Sequence, residues 1–381
     1  GDVYLEKYVT SLRHIEAQLL RDTHGNTHVL GIRDCSVQRD KQKVIEESGS
    51  TMLPDDLHAT VLRSTADIAN EVGYVGAGTV EFIYDLRSNA VYFMEMNTRL
   101  QVEHPVTEWT SGVNIVAEQF RIASGESIAD LKIAANGYSI EARVTAERLV
   151  VQAGGDVAFR PHPGQIDECV FPEEDGVEII TTVGPGKFVS PYYDSMVAQL
   201  IVHAESRDAA ADKLIDYLSR VVITGICTNI PLLRMILADE TFRKGVYDTN
   251  YLPEMLQRID VETLVDEIES NSGAKGENID SDTVRIEGTE ELKVLAPATA
   301  IFYSAPSPSE PEYVAVGQKI GLTDTLCQLE AMKIFNPLTL KDFNVDGAVY
   351  DPSRNYQVTR VNISNGQQVN VGDLLFVVKP V

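Results

Sequence analysis

Residues 95–103 read EMNTRLQVE. Glu95, Asn97, Arg99, Gln101 and Glu103 fall at every second position, with Met96, Thr98, Leu100 and Val102 between them. Side chains alternate across an extended chain, so the pattern predicts a strand with its polar groups on one side. An ordinary half-buried strand alternates too, but with less specific chemistry. Here a carboxylate and an amide two residues apart suit a hard cation such as Mg2+, and a guanidinium beside an amide suits a small oxyanion. Fully extended, the five groups would span about 26 Å at ~3.3 Å per residue. They line a channel unless the chain bends, and Pro105 lies where a bend would come.

The flanks read as mixed strands and helices. YLEKYV (4–9), RHIEAQLL and THVLGIRDCSV alternate as strands, and the Gly-Asn of THGNTH marks a hairpin rather than a metal pair of His24 and His28. Pro54 and Asp55–Asp56 open a helix over about 55–72, stopped by Gly73. GYVGAGTVEF then runs from helix into strand, the reverse of a phosphate-binding glycine loop, so Gly73, Gly76 and Gly78 are turn glycines. AVYFMEMN is a strand and TEWTSGVNIVAEQFRIASGE a helix. Strands (YSIEARVTAE, SMVAQLIVHA) and helices (RDAAADKLIDYLSRVV, PLLRMILADETFR) continue to about 250, giving an α+β class. Residues 264–293 are acidic and free of aromatics, the composition of a linker. Only short strands and turns follow.

The chain has 381 residues, enough for two or three domains. Its net charge of −25 argues against nucleic acid as a partner. No apolar run reaches the ~20 residues of a membrane helix. Cys35, Cys169, Cys227 and Cys327 have no metal-ligand spacing, and free thiols in a reducing cytoplasm are the default. The opening GDVYLEKYV, without an initiating Met, suggests a missing N-terminal part.

Residues 326–340, LCQLEAMKIFNPLTL, set Lys333 between Met332 and Ile334. An internal repeat explains so apolar a setting. VGQKIGLTDTLCQL from Val316 aligns with NGQQVNVGDLLFVV from Asn365, matching Gly317 with Gly366, Gln318 with Gln367, Asp324 with Asp373 and Leu326 with Leu375. Two similar half-units imply a small β sandwich with pseudo-twofold symmetry. Lys333 lies in the connection between them, at an exposed turn.

EAMKI resembles the biotin attachment motif of biotinyl carrier domains, with Ile334 in place of its last methionine. Lipoyl carriers share the fold, but Glu330-Ala331-Met332 favours biotin on Lys333. YSAPSPSEPEYV (303–314) resembles the protruding thumb of acetyl-CoA carboxylase carriers, while Ala300 replaces a usual glycine and 342–361 is longer than in compact carriers. EMNTRLQVEHPVTE resembles biotin carboxylase, an ATP-grasp enzyme, and this likeness covers most of 2–252, with carrier similarity over 294–379.

The resemblance implies a partial ATP-grasp domain (1–125), a biotin carboxylase C-terminal domain (126–263), an acidic linker (264–293) and an all-β biotinyl/lipoyl-type barrel sandwich (294–381). It implies Mg2+ (or Mn2+) and ATP on Glu81, Glu95 and Asn97, and nucleotide contacts from Glu6, Lys7, Val9, His14 and Gln38. Lys43, Arg99, Gln101 and the Val102 backbone would hold bicarbonate, with Glu103 as its general base. Arg143 would steady the biotin enolate, with Asp194 nearby. In the implied chemistry, bicarbonate attacks ATP to form carboxyphosphate, whose CO2 passes to biotin. Lys41, Asp40, Arg148 and Gln199 depart from the family pattern, which usually has histidine, arginine, an acid and lysine there. The family's glycine-rich lid and two nucleotide lysines would precede Gly1. The implied partners are a carboxyltransferase domain or subunit, a biotin protein ligase and further copies of the chain. The short linker and thumb favour an acetyl-CoA-type carboxylase. The alternatives are a pyruvate- or urea-type carboxylase and a non-catalytic carrier or assembly module.

Overall fold

The computed structural model describes residues 3, 5, 7–151, 157–273, 286, 289–307, 309–332, 334–340 and 354–381. An eight-stranded sheet organises the first two thirds of the chain. Its strands are β1 (Leu12–Arg21), β2 (Thr27–Arg39), β3 (Gln42–Ser48), β4 (Gly76–Asp85), β5 (Ala90–Asn97), β6 (Tyr138–Thr145), β7 (Val177–Thr181) and β8 (Met196–Ala204). Their order is β7-β8-β6-β3-β2-β1-β4-β5, with every neighbouring pair antiparallel.

Local chemistry fixes the hairpins. Between β1 and β2, Asp22 Oδ1 accepts from the backbone N–H of His24 at 2.9 Å and of Asn26 at 2.8 Å, a turn of the Asx kind. His24 and His28 bond to the carbonyls of Gly125 and Ile128, each at the rim of the turn rather than to a shared centre. Between β2 and β3, Arg39 pairs with Gln42, leaving Asp40 (φ 51°) and Lys41 (φ 66°) as a two-residue loop. Positive φ at both positions is the twist-matched hairpin turn, here held without glycine.

The sheet is two-faced. Ile15, Ala17, Leu19, Ile32 and Val80 pack against α1 (Asp55–Glu71) through Val61 and Ala69. Farther along the same side, Ile45, Ile140, Ala142, Val144, Leu200 and Val202 join a larger core with α4 (Arg207–Arg220) and α5 (Ile230–Ala238). The short helices α6 (Glu240–Arg243) and α7 (Tyr251–Leu256) add Phe242, Tyr251 and Leu252 to that core. The opposite side carries a second set of charged residues, while the Arg13–Asp34 and Glu47–Arg207 pairs lie on the helix side.

Several elements differ from the sequence expectation. Residues 7–9 of YLEKYV lie outside any strand. The strand expected over 95–103 ends at Asn97, and the chain then turns into α2 (His104–Ser111) with Pro105 in its first turn. A proline is tolerated there because the first helical N–H groups have no partner anyway. The single helix expected over 107–126 is two, α2 and α3 (Ile115–Ala123). Gly112 (φ 70°) ends the first, and Asn114 Oδ1 caps the second by accepting from Ala117 N–H at 2.7 Å. The stretch read as a linker from 264 begins inside α8 (Val261–Ser272), whose Leu264 and Ile268 are buried in the main core. An acidic surface masked that apolar spacing. The sheet itself runs on across the expected division at 125/126, with β6 to β8 extending what β1 to β5 begin.

The C-terminal region forms two four-stranded antiparallel sheets. The strands are β9 (Leu292–Leu295), β10 (Ala300–Tyr303), β11 (Lys319–Ile320), β12 (Cys327–Ala331), β13 (Ile334–Leu338), β14 (Tyr356–Val361), β15 (Gln368–Val369) and β16 (Leu374–Pro380). The orders are β9-β16-β14-β11 and β13-β12-β10-β15, enclosing a core that includes Phe302, Leu329, Tyr356 and Phe376. The repeat is visible in the turns. Gly317 has φ 90° and Gly366 φ 78°. Asp324 Oδ2 accepts from Gly321 N–H at 2.8 Å, and Asp373 Oδ2 accepts from Asn370 N–H at 2.7 Å. Ala331 pairs with Ile334 across the turn that contains Lys333, which itself lies outside the described residues, as do Glu6 and 341–353.

Candidate active site

Charged side chains on the polar face of the sheet meet the start of α2. Alternation places Glu16 and Gln18 of β1, Arg33 of β2, Glu46 of β3, Glu81 of β4, and Glu141 and Arg143 of β6 on one side. Two register shifts near the end of β2 bring Gln38 round to the same side as His14.

The centre is a relay of ion pairs. Arg33 is fully buried and donates from Nε to Glu16 Oε1 at 2.5 Å. Its other nitrogens reach Gln18 Oε1 at 3.0 Å, Thr107 Oγ1 at 2.8 Å and Gln101 Oε1 at 3.1 Å. The second oxygen of Glu16 accepts from Lys43 Nζ at 2.7 Å. Lys43 also pairs with Glu103 Oε1, and Arg143 NH2 reaches Glu103 Oε2 at 2.9 Å. Arg143 Nε donates to Glu46 Oε1 at 2.6 Å. Burial alone would raise the Glu16 carboxyl, but Arg33 and Lys43 pull it down to about 2. Burial would lower the Lys43 ammonium, yet its acidic neighbours hold it well above the ordinary lysine range. Ions taken out of water at this depth cost several kcal/mol each unless paired. The interlocked geometry is what lets them stay.

A second cluster adjoins the first. Glu81 Oε1 accepts from Asn97 Nδ2 and from Gln101 Nε2, both at 2.7 Å. Glu81 Oε2 lies 2.7 Å from His14 Nε2, and His14 Nδ1 accepts from Gln38 Nε2 at 2.8 Å. Ligand atoms of His14, Glu16 and Glu81 lie within 4.8 Å of one another, although Glu16 is already paired with Arg33 and Lys43.

The structure thus gathers Lys43, Glu81, Asn97, Gln101, Glu103, Arg143, His14 and Gln38. Val102 stands beside them, its carbonyl accepting from Gln199 Nε2 at 2.8 Å. Others are apart. Glu95 is exposed and, among the described residues, joins through Asn97 Nδ2 at 3.3 Å. Arg99 is exposed and bonds just the Leu100 carbonyl, because the chain has left the strand before it. Lys7 sits at another edge, 3.2 Å from both Asp85 Oδ2 and Tyr92 Oη. Val9 is half-buried outside any strand, and Asp194 is exposed, capping Met196 N–H at 3.1 Å. The sequence reading missed Glu16, Arg33, Glu46 and Glu141. A signal was present for Glu141, which stands two places before Arg143 in an otherwise apolar strand.

Residues 1–131 match the family described as carbamoyl-phosphate synthase L chain, ATP binding domain, and 141–254 match the biotin carboxylase C-terminal domain. The chain belongs to the biotin carboxylase family. It is 43% identical over 252 residues to biotin carboxylase 1 of Bacillus subtilis, covering 66% of this chain and 55% of that one. It is equally similar, at 43% over 256 residues, to the 2-oxoglutarate carboxylase small subunit of Hydrogenobacter thermophilus, covering 67% and 53%. The chain spans about half the length of the curated biotin carboxylases it matches.

Among solved structures, the biotin carboxylase domain dimer of the Hydrogenobacter thermophilus 2-oxoglutarate carboxylase, in complex with MgADP, ADP and bicarbonate, aligns with TM-score 0.61. Its identity is 43%, over 65% of this chain and 54% of that one. A single-chain, multi-domain long-chain acyl-CoA carboxylase aligns with TM-score 0.61 at 29% identity, over 98% of this chain and 35% of that one. This second likeness extends past the biotin carboxylase region into the C-terminal sheets.

Proposed function

We propose that the polar face of the sheet is the bicarbonate- and biotin-handling part of an ATP-dependent biotin carboxylase, and that the C-terminal β unit is its biotin carrier. One observation carries the enzymatic part. The Glu103 carboxylate is held between two cations, Lys43 on one oxygen and Arg143 on the other. A small oxyanion entering between them meets positive charge and a base at once. Glu103 takes the bicarbonate proton, which requires it to stand within hydrogen-bond reach before ATP is attacked. Lys43 and Arg143 counter the negative charge that grows on the reacting oxygens, and they do so from fixed positions. The NH1 group of Arg143 bonds to no other described residue and is the donor left for a substrate oxygen. Gln101 and the Val102 backbone complete the cradle. Glu81, Glu95 and Asn97 are the residues to hold Mg2+ or Mn2+, which when bound neutralises phosphate charge on ATP. His14, Gln38, Lys7, Val9 and Glu6 belong to the nucleotide side. Arg99 needs a rotation from its exposed position to serve bicarbonate.

Biotin on Lys333 is the carrier half of the proposal. The EAMKI motif and the twofold turn geometry support it, as does the seating of this unit on the enzyme region. Met332 is buried, and its N–H donates to the Pro191 carbonyl at 2.5 Å. Tyr192 Oη bonds Gln368 in the same contact. A biotin protein ligase would load Lys333, and a carboxyltransferase would unload the CO2. An acetyl-CoA-type acceptor is favoured by the short path from Ser272 to Leu292 and by the 303–314 loop. The relatives include 2-oxoglutarate and pyruvate carboxylases as well as acyl-CoA carboxylases, so a keto-acid acceptor is the second reading. Among the described residues no helix is long and apolar enough to cross a membrane.

The test is bicarbonate-dependent ATP cleavage by the protein that contains this chain, with Glu103→Gln beside it. Turnover in the first and its collapse in the second is the expected pair. Equal rates in both would remove Glu103 from the role.

A further inference from the structure

Glu46 on β3 and Glu141 on β6 are direct register partners on adjacent antiparallel strands, pointing to the polar face. Both are fully buried. Each uses one oxygen: Glu46 Oε1 takes Arg143, and Glu141 Oε1 accepts from Gln199 Nε2 at 2.9 Å. Each leaves the other oxygen, Oε2, buried without a hydrogen-bond partner among the described residues. Two buried orphan acceptors on facing residues are expensive, and neither can satisfy the other while both are ionised.

The charges of the surrounding network give the same answer. Arg33, Lys43 and Arg143 supply three cations, set against the four carboxyls of Glu16, Glu46, Glu103 and Glu141. Gln199, the polar group that reaches Glu141 from β8, is neutral. One negative charge is therefore in excess among these seven side chains.

We propose that Glu46 and Glu141 hold a single proton between them at neutral pH, with Glu141 as the neutral acid donating from Oε2 to Glu46. The proton balances the network and gives both orphan oxygens a partner. Burial first, and then the Glu46 charge, raise the Glu141 carboxyl well above its ordinary value, in keeping with this. Glu141 is thereby a positioning residue. While it is neutral, Arg143 divides its bonds between Glu46 and Glu103. Once ionised it would compete for the Arg143 guanidinium and draw it from Glu103. The charged groups facing Glu141 are Glu46 and Lys43 from β3, Arg143 from its own strand and Glu103 from the start of α2; β8 presents the neutral Gln199.

The experiment needs no turnover, so its outcome is separate from that of the carboxylase proposal. Infrared spectra of the intact protein at neutral pH should contain the C=O stretch of a protonated carboxylic acid, since exposed acids are ionised there. Glu141→Gln should lose that band while keeping its melting temperature, because the new amide can donate to Glu46 in the proton's place. Gln199→Lys should lose it as well, by supplying the missing cation and ionising Glu141. A wild-type protein without the band would overturn the proposal, and so would a band that survives in either folded variant.

Discussion

Arg143 donates to Glu103 at 2.9 Å across 40 residues of chain, and β6 and the N-cap residue of α2 supply the two ends of that bond. Lys43 reaches the other oxygen of the same carboxylate from β3. Replacing Glu103 by glutamine keeps the shape but removes the base. Bicarbonate-dependent ATP cleavage should fall by about 10²–10⁴-fold, the usual share of a positioned base. Circular dichroism should show the fold retained.

Arg33 is fully buried, with every partner a buried group. Arg33→Met should therefore cost about 3–5 kcal/mol in urea unfolding, because it leaves Glu16 with Lys43 alone and takes the donor from Gln101 Oε1. Arg99→Ala, changing an exposed side chain, should stay within about 0.5 kcal/mol. A large effect of the second on stability would contradict its place on the surface.

Acid should weaken the fold in two steps. Burial, helped by Arg148, pushes the His162 imidazole down to about 4, and its Nδ1 accepts from Cys227 N–H at 3.0 Å. The unfolded chain binds that proton near pH 6.5, so stability should drop between about pH 6.5 and 4, by up to ~3 kcal/mol. The Glu16 carboxyl, held at about 2, supplies stability that is complete above the ordinary value of 4.5 and lost as pH falls towards 2. Urea midpoints across this range check both, and His162→Gln should flatten the upper step alone.

Lys333→Ala should abolish biotin loading without unfolding the C-terminal sheets. Intact mass reads the first, as loss of one biotinyl increment. Loading that persists in the variant would move the attachment elsewhere.

The sequence made some of this legible and hid the rest for physical reasons. β6 was readable because its charges alternate with apolar residues, and β8 because its apolar run is buried on both faces. The α1 helix announced itself through Pro54, two acids and Gly73. Glu81, Gln101 and Glu103 were reachable from EMNTRLQVE and its family likeness, even though the strand expected there stops at Asn97. The polar alternation past Asn97 is a feature of a turn, where Gln101 and Glu103 point inward and Arg99 outward. Glu16 and Arg33 escaped because a buried charge looks, in sequence, like an exposed one on an amphipathic strand. Only pairing β1 with β2 shows that they neutralise each other.

The seam between β3 and β6, which joins Ile45 to Ala142, brings together segments distant along the chain. Closing so long a loop is entropically costly and therefore slow. Lys43 stands on one side of that seam and Arg143 on the other, so the cationic cradle cannot exist in a half-folded chain. On refolding, burial of β1, β2 and β4 would precede it. Regain of ligand binding should lag behind regain of secondary structure.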